Sequence, residues 1–386
     1  MKQGLLVLLL FVAATAAAQQ DDPNLVQNKL ALMGGPRMID SPEASDHGKS
    51  AVNNSIWDTS SQKSKTAGSQ KRKQTQINKP AGEIKRPTID ASMVGYIDDP
   101  IIGSQVQIRF DAAFDNRFPD RAEFFYAKCG CYRDPKLSGT LLYDPNAPGP
   151  GPLIPKGVNF QVLSFRGDYA PTSRFAAFIW IPIRWIQPQS APGQGAFKQW
   201  AGISDVEAGL KFALLTSSRH YLTAQLRAYF PSGAAVHGLG TNHYSIEPGL
   251  LYYQRFSDRF QVEGEVGGWL PIRGSAGVPT TSPQGFGGNI FFYGVGPSYR
   301  VISREHFRLA PVIELVGWNV TGGLETITTG TTGTPLTASG TNIFNLKIGA
   351  RTSFGGRNSL YVGYGTPLTS ANWFNNIVRV EYRYSF

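Results

Sequence analysis

The last ten residues, IVRVEYRYSF, alternate without a break. Val378, Val380, Tyr382, Tyr384 and Phe386 share one side of an extended chain, and Arg379, Glu381, Arg383 and Ser385 share the other. A period of two is the mark of a β-strand, because successive side chains point to opposite faces. GSQVQIRFDAAF repeats the pattern, setting Val106, Ile108, Phe110, Ala112 and Phe114 against Gln105, Gln107, Arg109 and Asp111. Similar segments lie near residues 158–169, 174–186, 202–215, 221–230, 244–256, 260–270, 289–300, 306–318, 342–354, 359–365 and 375–386, about twelve in all. The chain is therefore expected to be all-β. Its apolar faces must meet either a second sheet or lipid.

The connections decide between these. APTS, TSSR, SDR, ISRE and GGRN are tight turns. Alternating with them are long polar stretches at residues 115–157, 187–201, 231–243, 271–288 and 321–341. Short turns at one rim and long loops at the other build a transmembrane up-and-down antiparallel β-barrel. A soluble sandwich has no reason to keep that alternation through the whole chain. The same logic puts the apolar faces in lipid and the polar faces in a lumen.

Alternation then nominates the lumen charges. The basic set is Arg109, Arg174, Arg184, Lys211, Arg227, Arg308, Lys347, Arg351, Arg379 and Arg383; the acidic set is Asp111, Asp205, Glu207, Glu247, Glu263, Glu265, Glu314 and Glu381. Ten against eight is close to balance, which argues against a simple anion funnel. The acids gather on the fourth, sixth and seventh strands, while the tenth and twelfth are largely basic. Two arrangements follow from this: a narrow wet pore with a transverse field, or charges that pair across the lumen and plug it. Trp185, Trp269, Trp318, Trp373, Tyr169 and Phe386 lie near strand ends, where aromatic girdles are expected.

The N-terminal part reads differently. A lysine, an apolar run over residues 5–14 and small residues at Ala16 and Ala18 predict a secretory signal over residues 1–18. Residues 19–100 lack sustained periodicity. Between Lys63 and Arg86 stand eight Lys or Arg and one acid, Glu83, so much of the +10 net charge is local and gives no reason to invoke nucleic acid. The expectation is a disordered, basic periplasmic linker. The barrel is then expected over residues 101–386. Aromatics at 12%, 43 glycines and only 17% charged residues suit a chain of strands and turns.

GISDVEAGLKFALL, followed by LRAYFPSGAAVHGLGTNHYSIEPGLL, resembles the outer-membrane transporters associated with the meta-cleavage pathway of phenol degradation. The matching residues are Asp205, Val206, Gly209 and Lys211, then Pro231 and Gly233, then Gly238, Leu239 and Gly240. The resemblance spans about residues 103–386 and departs in NHYSIEPG, which stands where a shorter turn is expected. It implies a barrel that passes small solutes, including aromatic or other hydrophobic compounds. Tyr382, Tyr384 and Phe386 on the final strand also resemble the signal that outer-membrane assembly machinery recognises.

Other chemistry has little support. Cys129 and Cys131, in the first long loop, are expected to form a loop staple or to pair with another chain. No metal or cofactor site is evident. A hydrolase needs a Ser activated by an oriented His; His243 and Ser245 could share a face, yet no third group is evident. The expected function is a channel or transporter for small solutes, not an enzyme, with outer-membrane lipid and the barrel assembly machinery as partners. The alternative is a plugged barrel that anchors its surface loops. Oligomeric state is not legible.

Overall fold

The computed structural model describes residues 87–88, 91–118, 128–151, 155–189, 198–272, 286–329 and 332–386. All of them belong to the unit Ile77–Phe386. The predicted leader and residues 19–86 of the predicted linker lie outside the described residues.

Twelve long strands form the wall: β1 (Gln105–Asn116), β2 (Gly157–Thr172), β3 (Phe175–Gln189), β5 (Val206–Thr216), β6 (His220–Phe230), β7 (Tyr244–Arg255), β8 (Phe260–Ile272), β9 (Ile290–Tyr299), β11 (Phe307–Val320), β14 (Asn342–Phe354), β15 (Asn358–Pro367) and β16 (Asn376–Ser385). Three short additions complete the numbering. β4 (Trp200–Ile203) pairs antiparallel with β3, β10 (Ile302–Arg304) pairs antiparallel with β11, and β12 (Leu324–Thr329) pairs with β13 (Thr332–Thr337) as a loop hairpin. Every wall strand pairs antiparallel with its chain neighbours. β1 pairs with β16 from Gln105↔Ser385 to Phe114↔Asn376, so the sheet closes on itself. No wall strand is left with an open edge, the condition for placing β-structure in hydrocarbon.

The strand faces follow the expected alternation. Leu210, Phe212, Leu226, Ile313, Ile348 and Val362 point outward and are exposed despite being apolar. Their neighbours Lys211, Gln225, Arg227, Glu314, Lys347 and Tyr361 point inward and are buried. A continuous apolar belt of this size is stable only against lipid. Its rims carry Tyr169, Trp185, Tyr244, Phe260, Tyr299 and Phe386.

Trp269, Trp318 and Trp373 depart from the girdle expectation. Trp269 and Trp373 are buried, and all three line the interior. Position near a strand end fixes depth but not side. Trp269 shares its parity with Glu263 and Glu265, and Trp318 shares its parity with Glu314, so both turn inward. Trp373 sits in the loop before β16, where strand parity no longer applies.

Candidate functional site

The lumen holds a piece of the chain itself. Residues 91–104, directly before β1, double back inside the barrel as a strap. Ser92, Met93, Val94, Ile97, Asp99 and Ile101 are almost wholly buried. The sequence placed residues 91–100 in the linker; they are instead the core of the lumen's inner half. The strap starts beside Gln261, which donates to Ala91 O at 2.7 Å, and climbs to Tyr96 at mid-barrel. It returns to Ile102, whose N–H donates to the Tyr221 hydroxyl near the short-turn rim.

The strap makes no β-ladder, so its backbone groups need other partners. The inward charges supply them. Glu314 accepts the N–H groups of Gly95, Tyr96 and Ile97 at 2.6, 2.7 and 3.0 Å. Glu263 accepts Met93 N–H at 2.8 Å and the Ser92 hydroxyl at 2.6 Å, and Glu265 accepts Asp98 N–H at 3.0 Å. Cations bind the carbonyls. Arg351 donates to Val94 O at 2.7 Å, Arg379 to Gly95 O at 2.6 Å, and Lys211 to Asp99 O at 2.7 Å. The strap's own acids are paired too. Asp98 meets Arg227, Arg166 and Gln225, and Asp99 meets Arg383 at 3.4 Å. Charge-assisted bonds such as these are about twice as strong as neutral ones.

Most predicted lumen residues are therefore gathered in one network. Asp111 pairs with Arg379, and Glu381 with Arg351 and Arg383, each at 2.6 Å. Glu207 and Glu247 lie 3.3 and 3.5 Å from Arg227. Arg109 stacks on Trp180 at 3.7 Å, Arg184 lines the outer lumen, and Arg308 is half-buried toward the short-turn rim. Arg174 is the exception. It occupies the tight turn between β2 and β3 and is exposed, because the strand begins one residue after it.

Sequence reasoning missed Arg166 and Asp168, which form a buried pair at 2.9 Å on the inner face of β2. Counting outward positions from Leu163, Phe165 and Tyr169 would have found them. Outward Gln161 and inward Phe160 blur the pattern there.

Asp205 does not line a pore in the simple sense. Just before β5, its carboxylate accepts the N–H of Gly233 at 3.0 Å and the N–H and hydroxyl of Thr241 at 2.7 Å each. A Cβ on Gly240 would lie 2.4 Å from the Asp205 carboxylate and 2.7 Å from Gly233 O. The residues that carry the family resemblance thus form a latch folding the loop of residues 231–243 onto the rim, and Lys211 in the same motif grips the strap.

Above the strap the lumen opens into a cavity of about 360 Å³. Trp180, Trp269, Trp318, Trp373, Phe292 and Phe374 contribute its aromatic wall; its cations are Arg109, Arg184, Arg227, Lys347 and Arg379, and its acids are Asp98, Asp111, Asp205, Glu207, Glu247 and Glu265. Tyr96, at the top of the strap, is part of the floor. Beside the strap, the space bordered by Asp98, Arg166, Glu381 and Arg383 shrinks to about 10 Å³, room for about one water. At the long-loop rim, Tyr132, Phe286, Leu324 and Phe374 pack into one apolar cluster with the strand-end residues Phe160 and Ile343. Cys129 and Cys131 in that cluster form a disulfide with each other.

His243 and Ser245 do not form a catalytic pair. His243 Nδ1 lies 3.0 Å from Thr241 O and the ring packs edge-on against Trp269, while His243 Nε2 and Ser245 Oγ each lack a hydrogen-bond partner among the described residues.

No protein-family model matches the chain. No curated protein matches it either. Among solved structures, an outer membrane channel from Pseudomonas putida F1 aligns with a TM-score of 0.45 at 12% identity, covering 74% of this chain and 96% of that one. The β-domain of the Bordetella autotransporter BrkA aligns at 0.42 and 13%, covering 74% and 100%. KdgM porin aligns at 0.34 and 9%, covering 73% and 99%. Identities this low carry no residue-by-residue correspondence, and nothing in these matches bears on the phenol pathway of the resembled family.

Proposed function

We propose that the chain is an outer-membrane channel for small solutes, aromatic or otherwise flat and apolar, and that passage requires the strap to leave the inner lumen. One observation supports this above the others. The barrel encloses a cavity large enough for a small ligand, and the remaining path is filled by a segment held through side-chain hydrogen bonds, with no ladder of its own. A strap tied in this way can be released without breaking the wall. In this reading the short turns face the periplasm and the belt sits in outer-membrane lipid. Export uses the N-terminal signal, and assembly uses Tyr382, Tyr384 and Phe386. The driving force is the solute gradient.

The filled inner lumen also favours a second reading, a permanently plugged barrel that presents its long loops to a partner. A reversible lock separates the two. A Cβ on Gly296 would lie 2.6 Å from Val94 Cγ1, so Val94→Cys with Gly296→Cys places two thiols within reach of a disulfide. The oxidised double variant in liposomes is expected to block uptake of small solutes, with recovery on reduction. Val94→Cys alone, treated identically, controls for reduction of Cys129–Cys131. If folded, reduced barrels admit no solute at all, the channel reading fails and the anchor reading stands.

A further inference from the structure

Among the described residues, Lys347 is a mid-barrel lumen lysine with no ion pair within 4 Å, although Glu314 stands opposite it in the β11–β14 register. It sits on the inner face of β14, 1% exposed, with its ammonium 4.5 Å from the centre of the Tyr96 ring and 4.4 Å from that of Phe374. Among the described residues it has no hydrogen bond and no ion pair. Gly365 on the next strand makes room for it, since a Cβ there would lie 2.3 Å from Lys347 Cδ.

The neighbouring cations are in a different state. Arg379 is taken by Asp111 and Gly95 O, and Arg109 lies 3.5 Å from Asp111. Two aromatic faces return part of what a desolvated ammonium loses, about 2 kcal/mol at best. That falls short of the cost of burying an unpaired charge. The ammonium also borders the outer cavity, beside Trp318 and Trp373, whose ring centres are 4.5 Å apart. Two residues outward on the same face, Asn345 is 1% exposed and neither of its amide atoms has a hydrogen-bond partner among the described residues.

We propose that the outer cavity binds an organic monoanion, a single carboxylate on a flat apolar body, with Lys347 as its anchor. This rests on the solute-channel reading and narrows it to a substrate class. The carboxylate completes the ion pair that the fold leaves open. The body lies against Trp318, Trp373 and Phe374, in a space within the usual range for small-ligand sites. A bound carboxylate would hold Lys347 in its ammonium form, which the two rings alone do not. On the facing wall, Glu207 and Glu247 share Arg227 with Asp98, and among the described residues Glu265 accepts only Asp98 N–H, so the acidic side turns the carboxylate toward β14.

The test uses the full chain in detergent, with tryptophan fluorescence and calorimetry as readouts and benzoate, benzamide and acetate as probes. Wild-type protein is expected to bind benzoate at least tenfold more tightly than benzamide or acetate. Lys347→Met should lose at least tenfold in benzoate affinity while benzamide is unaffected, and Lys347→Arg should restore most of the loss. Retained heat-modifiable migration shows that each variant is folded. Equal binding of benzoate and benzamide, unchanged benzoate affinity in folded Lys347→Met, or no benzoate binding to wild type would each overturn the assignment. Acetate binding as tightly as benzoate would reduce it to a bare anion site and overturn it as well. Flux tests the channel separately: charge-selective binding without flux leaves this site standing and removes the channel, whereas flux without charge preference does the reverse.

Discussion

Asp111 and Arg379 face each other across the seam where the first and last strands of the barrel meet. Their side chains form a bidentate pair at 2.6 and 3.0 Å, and the same guanidinium donates to Gly95 O on the strap. One arginine therefore joins wall closure to lumen filling. Loss of this arginine is therefore expected to loosen both the strap and the β1–β16 seam, since Asp111 is buried.

Arg379→Met tests that coupling. Removing the arginine leaves buried Asp111 with Arg109 alone, 3.5 Å away, so the cost is expected to stay below the about 3–5 kcal/mol of a fully stranded buried charge. The expected result is a lower guanidinium midpoint for barrel unfolding and faster hydrogen exchange at residues 93–97. Arg379→Met with Asp111→Leu should recover most of the midpoint but not the exchange protection, since the Gly95 contact stays lost. If both recover together, the arginine does not bridge seam and strap.

Glu314→Gln addresses the strap alone. Three backbone amides converge on one carboxylate. An amide side chain keeps one oxygen and turns two N–H groups toward the remaining donors. Losing satisfied buried donors costs about 1–3 kcal/mol, which raises strap opening about 5- to 150-fold. Single-channel recording should show more frequent openings with barrel melting nearly unchanged. Unchanged gating with a folded barrel would mean that Glu314 does not hold the strap.

These two sites mark what could and could not be seen in the chain itself. That Asp111, Glu314 and Arg379 face inward follows from parity, and the strand limits agree to within a few residues because turns and alternation reinforce each other. The Asp111–Arg379 pairing needed the register of a closed sheet. The Glu314 contacts needed the strap, which has no periodicity to read, since its backbone bonds to side chains and not to another strand. Arg174 shows the converse limit: parity holds only within a strand, and this residue stands one position before β3, in a turn. Asp205 counted correctly as inward, but its carboxylate serves three donors within a loop, a role that alternation cannot reveal.

Gly240→Ala tests the loop latch. The new methyl would meet the Asp205 carboxylate and Gly233 O well inside van der Waals contact. Either the latch opens or the loop shifts. Asp205→Asn weakens the same site by replacing a charged acceptor with a neutral one. Each is expected to cost about 1–3 kcal/mol of local stability, read as faster exchange across residues 231–243 with wall strands unaffected. The two changes should be far from additive, because they act on one contact. Full additivity would place their effects at separate sites.

The outward face makes the last prediction, and the one on which membrane placement turns. Ile348 lies at the middle of β14 on the outside of the wall and is 53% exposed in the isolated chain. If that face meets hydrocarbon, Ile348→Lys places a charge near the bilayer midplane and costs about 2–4 kcal/mol. At Phe307, nearer the short-turn rim of the same wall, the same substitution should cost about 0–1 kcal/mol, because a side chain there reaches the interface. Folding titrations into phosphatidylcholine vesicles measure both. The depth difference is the telling quantity, since a water-facing sheet would accept lysine equally at either height. Equal and small costs would remove lipid from the outside of the barrel, and with it the case for a membrane channel.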